Sequence, residues 1–329
     1  MRIAVSAAAL SMLVALLQPA AAQKRASPAA EDYPVRPIRM VIPFTPGSNS
    51  DMLARLIGPK LLDRWGQQVV VDNRPGAGGA IAGGIVVSSV PDGHTLLLSS
   101  SAFATSAALG LKLPYDPLRD FTGVTQVAST ANVLVVGNGL GIKTAKELIA
   151  LAKQKPGQIN FASSGVGSGT HYSGELFKLA ASIDVVHVPF KGTPEALTDT
   201  MTGRVHYYLS PVMPALPLIR NGRLIALGVT TTERVPLLPE VPSLGESALP
   251  GFKYDGWFGL WAPAKTSRRT VEAIAREVAR ILKLAEVGER IVSQGAVPKS
   301  STPAELDSLV RAEVETRANV LKTTGAGGS

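Results

Sequence analysis

Two short loops carry the side chains of this sequence best suited to gripping an anion. The first, PFTPGSNSD at 43–51, sets Ser48, Asn49 and Ser50 where an extended apolar run gives way to a helical stripe of Met52, Leu53, Leu56, Ile57 and Leu61. The second, ASSGVGSGTH at 162–171, spaces Ser163, Ser164, Ser168 and Thr170 with Gly165, Gly167 and Gly169. The first amides of a helix lack intrahelical partners and sit at the positive end of its dipole, so an anion is stabilised there without Lys or Arg. Glycines let the backbone turn amides inward, and hydroxyls both donate and accept. Together the loops are suited to holding one carboxylate from two sides. One such loop alone would read more simply as a cap or turn; two in equivalent places favour the binding reading.

Further polar groups end neighbouring apolar runs: Ser99, Ser100 and Ser101 after GHTLLL, Lys191 and Thr193 in VPFKGT, and Ser210 after VHYYL. Phe44 and Phe190 each follow a proline and read as cleft walls. His171 is as well placed to start a helix as to touch a ligand, and Arg74 to brace the fold as to meet one. Ser48 and Asp51 have capping-box spacing, with Asp in place of Glu or Gln. Pro59, inside the same helical stripe, predicts a bend or break.

These loops occupy matching places in a pattern written twice. Residues 37–101 read as strand, small-residue loop, helix, strand, Gly-rich loop, helix and strand, and 157–211 repeat that order with almost no shared residues. An open α/β sheet binds ligands beyond its strand C-termini. Two facing copies therefore predict an α/β, two-domain clamshell like a periplasmic binding protein, each domain a doubly wound sheet flanked by helices. The expected division is a discontinuous first domain, 33–127 plus 255–329, and a second, 128–254. The chain would cross first at Thr125–Ala128 and return through FKYDGWFGLWAPA. Two terminal helical patterns belong on the first domain, and Thr302 before Pro303, with Glu305 behind, marks the start of the second of them.

The opening residues supply a basic start, an apolar stretch from Ile3 to Leu17 and a small-residue site at Ala20-Ala21-Ala22. That predicts a cleavable signal over 1–22, a flexible leader over 23–32 and export to the periplasm. Zero cysteines exclude disulfides, thiolate metal sites and a Cys nucleophile. The formal charge of +8 is scattered, which reads as a solvated basic surface and not a nucleic-acid patch. The histidines lack metal-ligand spacing, no dinucleotide fingerprint is complete, and Gly167 stands where a nucleophile elbow needs serine. No metal and no cofactor are expected. Asp51, His171 and Lys191 are the only weak catalytic candidates, so binding is expected over catalysis, with an exported hydrolase or lyase on the same clamshell as the alternative.

The stretches YPVRPIRMVIPFTPGSNSD, VVVDNRPGAGG, PDGHTLLLSSS, LPYDPLRDF, INFASSGVGSGTH, GELFK, VHVPFKG, GWFGLWAPA and STPAEL span nearly the whole chain after the leader. Through them the sequence resembles the Bug-type extracytoplasmic solute receptors, the substrate-binding proteins of tripartite tricarboxylate transporters. The resemblance implies a two-domain clamshell that binds a small organic carboxylate and delivers it to membrane permease subunits or to a sensor, and the chain is expected to act as a monomer. It also implies that Phe44, Ser48 to Ser50 and Ser163 to Thr170 hold the ligand, partly through ordered water. Two departures stand out. Ser48 replaces the usual second glycine of the first loop, and Ser210-Pro211 stands where many relatives carry an acid, which disfavours a ligand with a free amine.

Overall fold

The computed structural model describes residues 33–76, 79–293 and 295–326. The expected signal over 1–22 and leader over 23–32 lie outside these residues, as do Ala77 and Gly78 of the NRPGAGG turn.

The first copy of the repeat forms β1 (Ile38–Ile42), α1 (Asn49–Trp65), β2 (Val69–Asn73), α2 (Ala80–Val87) and β3 (Thr95–Ser100). A short α3 (Ala102–Ala108) follows, and then β4 (Phe121–Gly137) and α4 (Ala145–Gln154). The second copy forms β5 (Asn160–Ser163), α5 (Gly169–Ala181), β6 (Val186–Pro189), α6 (Thr193–Met201) and β7 (Tyr207–Pro211). Beyond it lie α7 (Val212–Arg220), β8 (Leu224–Val229), α8 (Leu244–Ser247) and β9 (Asp255–Pro263). The chain ends with α9 (Arg268–Leu282), α10 (Ala285–Ser293), β10 (Ala296–Pro298) and α11 (Pro303–Thr323).

In each copy the first strand is central and parallel to both neighbours. Met40 of β1 pairs with Val71 and Leu96, and Ala162 of β5 with Val188 and Tyr208. Strands covered on both faces read as near-continuous apolar runs, as IRMVI does apart from Arg39, whose guanidinium pairs with Asp72 of β2. The two copies are joined by β4, whose partners change along its length. Up to Ala131 it runs antiparallel to β9, and from Asn132 onward it pairs with β7 and β8. The change of partner thus falls at Ala131–Asn132, just beyond the Thr125–Ala128 stretch singled out in the sequence. β9 starts at Asp255, inside the segment read as the return. The result is a curled sheet with two lobes, the first carrying β1–β3, β9 and β10 and the second β5–β8.

Alternation along the shared strands divides the second core in two. Leu134, Tyr207 and Leu209 face α4 and α5, where Phe161, Phe177 and Leu148 pack; Val133, Val135 and Tyr208 face α6 and α7. Gly174 lets α5 lie directly on β5, since a Cβ there would stand 2.2 Å from the Phe161 ring. Truncating Phe161 to Ala would cost about 3–5 kcal/mol. In the first lobe, Val41, Leu97, Phe103, Trp261, Leu306 and Val310 form one cluster, so α11 packs on the same core as β1 and β3. Its start has a complete capping box: Thr302 Oγ1 accepts from the Glu305 amide and Glu305 Oε2 from the Thr302 amide.

Two local expectations are revised. α1 is not divided at Pro59, which lies on its exposed face. The Ser48–Asp51 capping box does not form, because Asp51 turns back to the Gly47 amide and to Arg55.

Candidate functional site

The C-terminal ends of β1, β3, β5 and β7 converge on one cavity of about 40 Å³ between the lobes. Of the residues singled out from the sequence, Phe44, Ser48, Asn49, Ser50, Ser100, Ser101, Ser164, Gly169, Thr170 and Thr193 line it. None of its lining side chains is charged.

On the first lobe, the loop after β1 is pinned by Asn73, whose Nδ2 donates to the Phe44 carbonyl at 3.0 Å. Ser48 is the N-cap of α1 with extended backbone, yet its hydroxyl accepts no amide. Ser48 Oγ, Asn49 Oδ1 and Nδ2 and Ser50 Oγ are all buried without a hydrogen-bond partner. Native interiors satisfy the large majority of buried polar side-chain atoms, and an orphan costs about 1–3 kcal/mol. Four such atoms on three successive residues, at the positive end of a helix and facing a cavity, form a set of donors and acceptors without a protein partner. Burial pushes the Asp51 carboxyl up, but the Arg55 guanidinium, the Gly47 amide and Asn73 together hold it below its ordinary value. Asp51 is therefore ionised and engaged beside the cavity.

The second loop is built differently. Ser168 caps α5 by accepting the His171 amide at 3.0 Å. Thr170 Oγ1 takes the Ser164 amide at 2.9 Å and meets the hydroxyls of Ser164 at 2.9 Å and Ser168 at 3.0 Å. Ser163 Oγ accepts from the Gly165 amide at 3.1 Å and stands 2.6 Å from His187 Nε2. His171 Nδ1 accepts from the Gly167 amide at 3.3 Å, and its ring stacks on His187 with centroids 4.2 Å apart. Burial lowers His171 to about 4; burial, His171 and Lys178 lower His187 to about 3. Both imidazoles are neutral at neutral pH and brace the loop from behind.

Ser163, Gly165, Gly167, Ser168 and His171 thus shape the loop without lining the cavity. Ser210 is buried and donates to the Pro211 carbonyl, while its neighbour Pro211 does line the cavity. Phe190 is half-buried, and Lys191 is exposed at the start of the loop before α6. Neither reaches the cavity.

Sequence reasoning missed the floor. Thr130 and Asn132, at the change of partners in β4, line the cavity, as do Tyr254, Gly256, Trp257 and Phe258 around the start of β9. The available signal was topological: strands that cross between lobes must pass behind a ligand held between them. Asn132 is fixed by Nδ2 donating to Ser173 Oγ, and Tyr254 OH lies 3.0 Å from Ser101 Oγ. The lobes also touch directly around the cavity. Ser106 Oγ donates to the Gly167 carbonyl, and Thr45 Oγ1 to Glu195, each at 3.4 Å. The arrangement offers helix-start amides, hydroxyls and carboxamides to a ligand, with aromatic walls.

Residues 53–325 match the tripartite tricarboxylate transporter family receptor. Protein BugT of Bordetella pertussis is 36% identical over 299 residues, covering 90% of this chain and 92% of that protein. The solved structure of Rpa4515 of R. palustris with adipate is similar at a TM-score of 0.86 and 34% identity, covering 89% of this chain and 98% of that one. MatC from Rhodopseudomonas palustris with bound malate is similar at 0.83 and 32%, covering 88% of this chain and 100% of that one. The chain belongs to the tripartite tricarboxylate transporter receptor family.

Proposed function

We propose that this protein is a periplasmic receptor that captures a small organic carboxylate in the cleft between its lobes and presents it to the permease subunits of a tripartite tricarboxylate-type transporter. The observation that carries the reading is the set of four buried, unpartnered polar atoms on Ser48, Asn49 and Ser50, lining a cavity at a helix start. A carboxylate there accepts from the free amides and hydroxyls, a charge-assisted contact stronger than a neutral one. The adipate and malate held by similar structures are in keeping with this class.

The site residues of this reading are Phe44, Ser48, Asn49, Ser50, Ser100, Ser101, Ser164, Gly169 and Thr170, joined by Thr130, Asn132, Tyr254 and Trp257. The domain boundaries lie where β4 changes partners, near Ala131–Asn132, and where β9 begins, near Tyr254–Asp255. Export rests on residues 1–22, and the receptor acts as a monomer. Binding proceeds without turnover: Asp51 is committed to Arg55 and Gly47, His171 to the loop behind the cavity, and Lys191 is exposed. No acidic side chain lines the cavity to meet an ammonium group, which supports a ligand without a free amine.

Native mass spectrometry of protein purified without added ligand identifies the co-purified acid. Titration then compares succinate, malate and adipate with aspartate and glutamate. Tighter binding of the non-amino acids is expected. Preference for the amino acids overturns the amine exclusion, and silence with every carboxylate overturns the receptor reading.

A further inference from the structure

Arg317 of α11 is a cation buried to 2% exposure, away from the cavity. Its guanidinium is held from the first lobe: Nη1 donates to the Ser101 carbonyl and to Thr105 Oγ1 of α3, and Nη2 to Glu313. Glu313 in turn accepts from Trp257 Nε1 at 2.8 Å. Ser101 and Trp257 both line the cavity, so this network is the back of the ligand floor. Its fourth side comes from the second lobe. The ring of Tyr172 on α5 lies with its centroid 4.5 Å from the guanidinium carbon, with Tyr254 at 5.8 Å from the crossing segment. Leu109 and Leu321 complete the cluster and keep water out.

We infer that Arg317 and Tyr172 form a closure latch, a contact between lobes that sets the ratio of closed to open receptor without touching the ligand. The hydrogen-bond partners Ser101, Thr105 and Glu313 travel with the first lobe, and Tyr254 stays on the crossing segment. Parting the lobes removes the Tyr172 ring and lets water reach the guanidinium. A cation over an aromatic face contributes most when desolvated, and its loss lowers the closed population roughly tenfold. Apparent affinity scales with the fraction of competent receptor, so ligand binding weakens by the same factor. The inference rests on the reading of this protein as a receptor that closes on its ligand.

The absence of cysteine makes a ligand-independent test available. A Cβ at Gly192 would stand 3.4 Å from Thr45 Cβ across the lobe contact, close to disulfide geometry. The backbone of Gly192 is extended, at φ −171°, so cysteine fits there. In the Thr45→Cys/Gly192→Cys protein, the rate of disulfide formation under oxidised glutathione reads the closed population even when it is small. Tyr172→Leu keeps apolar volume but removes the ring face, and is expected to slow trapping roughly tenfold. Tyr172→Phe keeps the face and leaves the rate unchanged. Arg317→Gln, which keeps a donor for Thr105, slows trapping like Tyr172→Leu and replaces it if that variant does not fold. Equal trapping rates in all variants, or a lowered melting temperature with an unchanged rate, overturn the latch. Trapping needs no ligand, so the latch can fail while the carboxylate reading stands, and the reverse.

Discussion

The loops Phe44–Asp51 and Ser163–His171 are the same device built twice and used in opposite ways. Each follows a central parallel strand, and each opens a helix from a serine N-cap with nearly equal backbone angles, φ −70° and ψ 160° at Ser48 against −74° and 161° at Ser168. Ser168 spends its hydroxyl on the cap and shares Thr170 with Ser164, so the second loop is satisfied within itself. The side chains of Ser48, Asn49 and Ser50 bond nothing. Backbone shape therefore does not set the two loops apart; the partners of their side chains do. In the proposed reading the satisfied loop serves as a wall, and the unsatisfied one offers its free donors and acceptors to the ligand.

The sharpest way to break this comparison is to exchange what each loop has. Asn49→Leu removes two buried atoms that have no protein partner, so folding stability stays level or rises, while carboxylate affinity falls roughly a hundredfold, as for a lost hydrogen bond to a charged group. Thr170→Val removes the hub of three hydrogen bonds and is expected to cost about 2 kcal/mol of stability with a smaller loss of affinity. Calorimetric titration together with thermal melts of both variants separates the two effects. Equal losses of stability in the two variants would end the distinction.

A second break goes through the glycines of the satisfied loop. A Cβ at Gly169 would stand 2.6 Å from Ser101 Oγ, on the far side of the cleft, and 2.7 Å from Tyr254 OH, on the crossing segment. Its small size serves the approach of the lobes as much as the turn of the loop. Gly169→Ala, whose overpacking is felt only on closure, is expected to weaken binding about tenfold with an unchanged melting temperature for the ligand-free protein. A lowered melting temperature at unchanged affinity would move the role of this glycine back into the loop itself.

Acid tests the wall from behind. His171 and His187 are held down to about 4 and about 3 from an ordinary 6.5. Between those values the unfolded chain binds more protons than the folded one, so the stability they supply is present above about pH 6.5 and is lost as pH falls through the folded values. Glu175, pushed up by burial, acts in the opposite direction, and partly buried His206, pushed down by burial and Lys155, adds to the loss. A His171→Gln/His187→Gln double variant isolates the pair. Wild-type stability is expected to fall from pH 6.5 to 5 with a steeper slope than the variant, and amide exchange at Gly165 and Gly167 to rise before that at Asn49 and Ser50. Equal slopes would show that the imidazoles do not brace the loop.

Much of this architecture is legible in order along the chain. The repeat follows from IRMVI and INFAS opening into small-residue loops, and α11 from Thr302-Pro303 with Glu305. What escaped is three-dimensional. Nothing in the spacing of Ser48 and Ser168 tells that one hydroxyl is used and the other free, because that depends on whether Asp51 turns to Arg55 and Gly47. Thr130 and Asn132 lie within an unremarkable β-branched run and become floor residues only because β4 changes partners beside them. Lys191 and Phe190 looked well placed by analogy with the first loop, but the chain after β6 carries them past the cavity.

The smallest effect expected is optical and leaves affinity nearly unchanged. Trp257 lines the cavity and donates to Glu313, whereas Trp261 is 1% exposed and stacks on Phe103 with ring centroids 4.5 Å apart, inside the first-lobe core. Ligand seated on the unsatisfied loop changes the surroundings of Trp257, while the Trp261 ring keeps the same neighbours in both states. A fluorescence change on binding should therefore survive Trp261→Phe and vanish in Trp257→Phe, with the affinity of the first measured by calorimetry as a control. A signal that instead follows Trp261 would mean that binding rearranges the core of the first lobe, and the contrast between a fixed wall and an open grip would have to be redrawn around that motion.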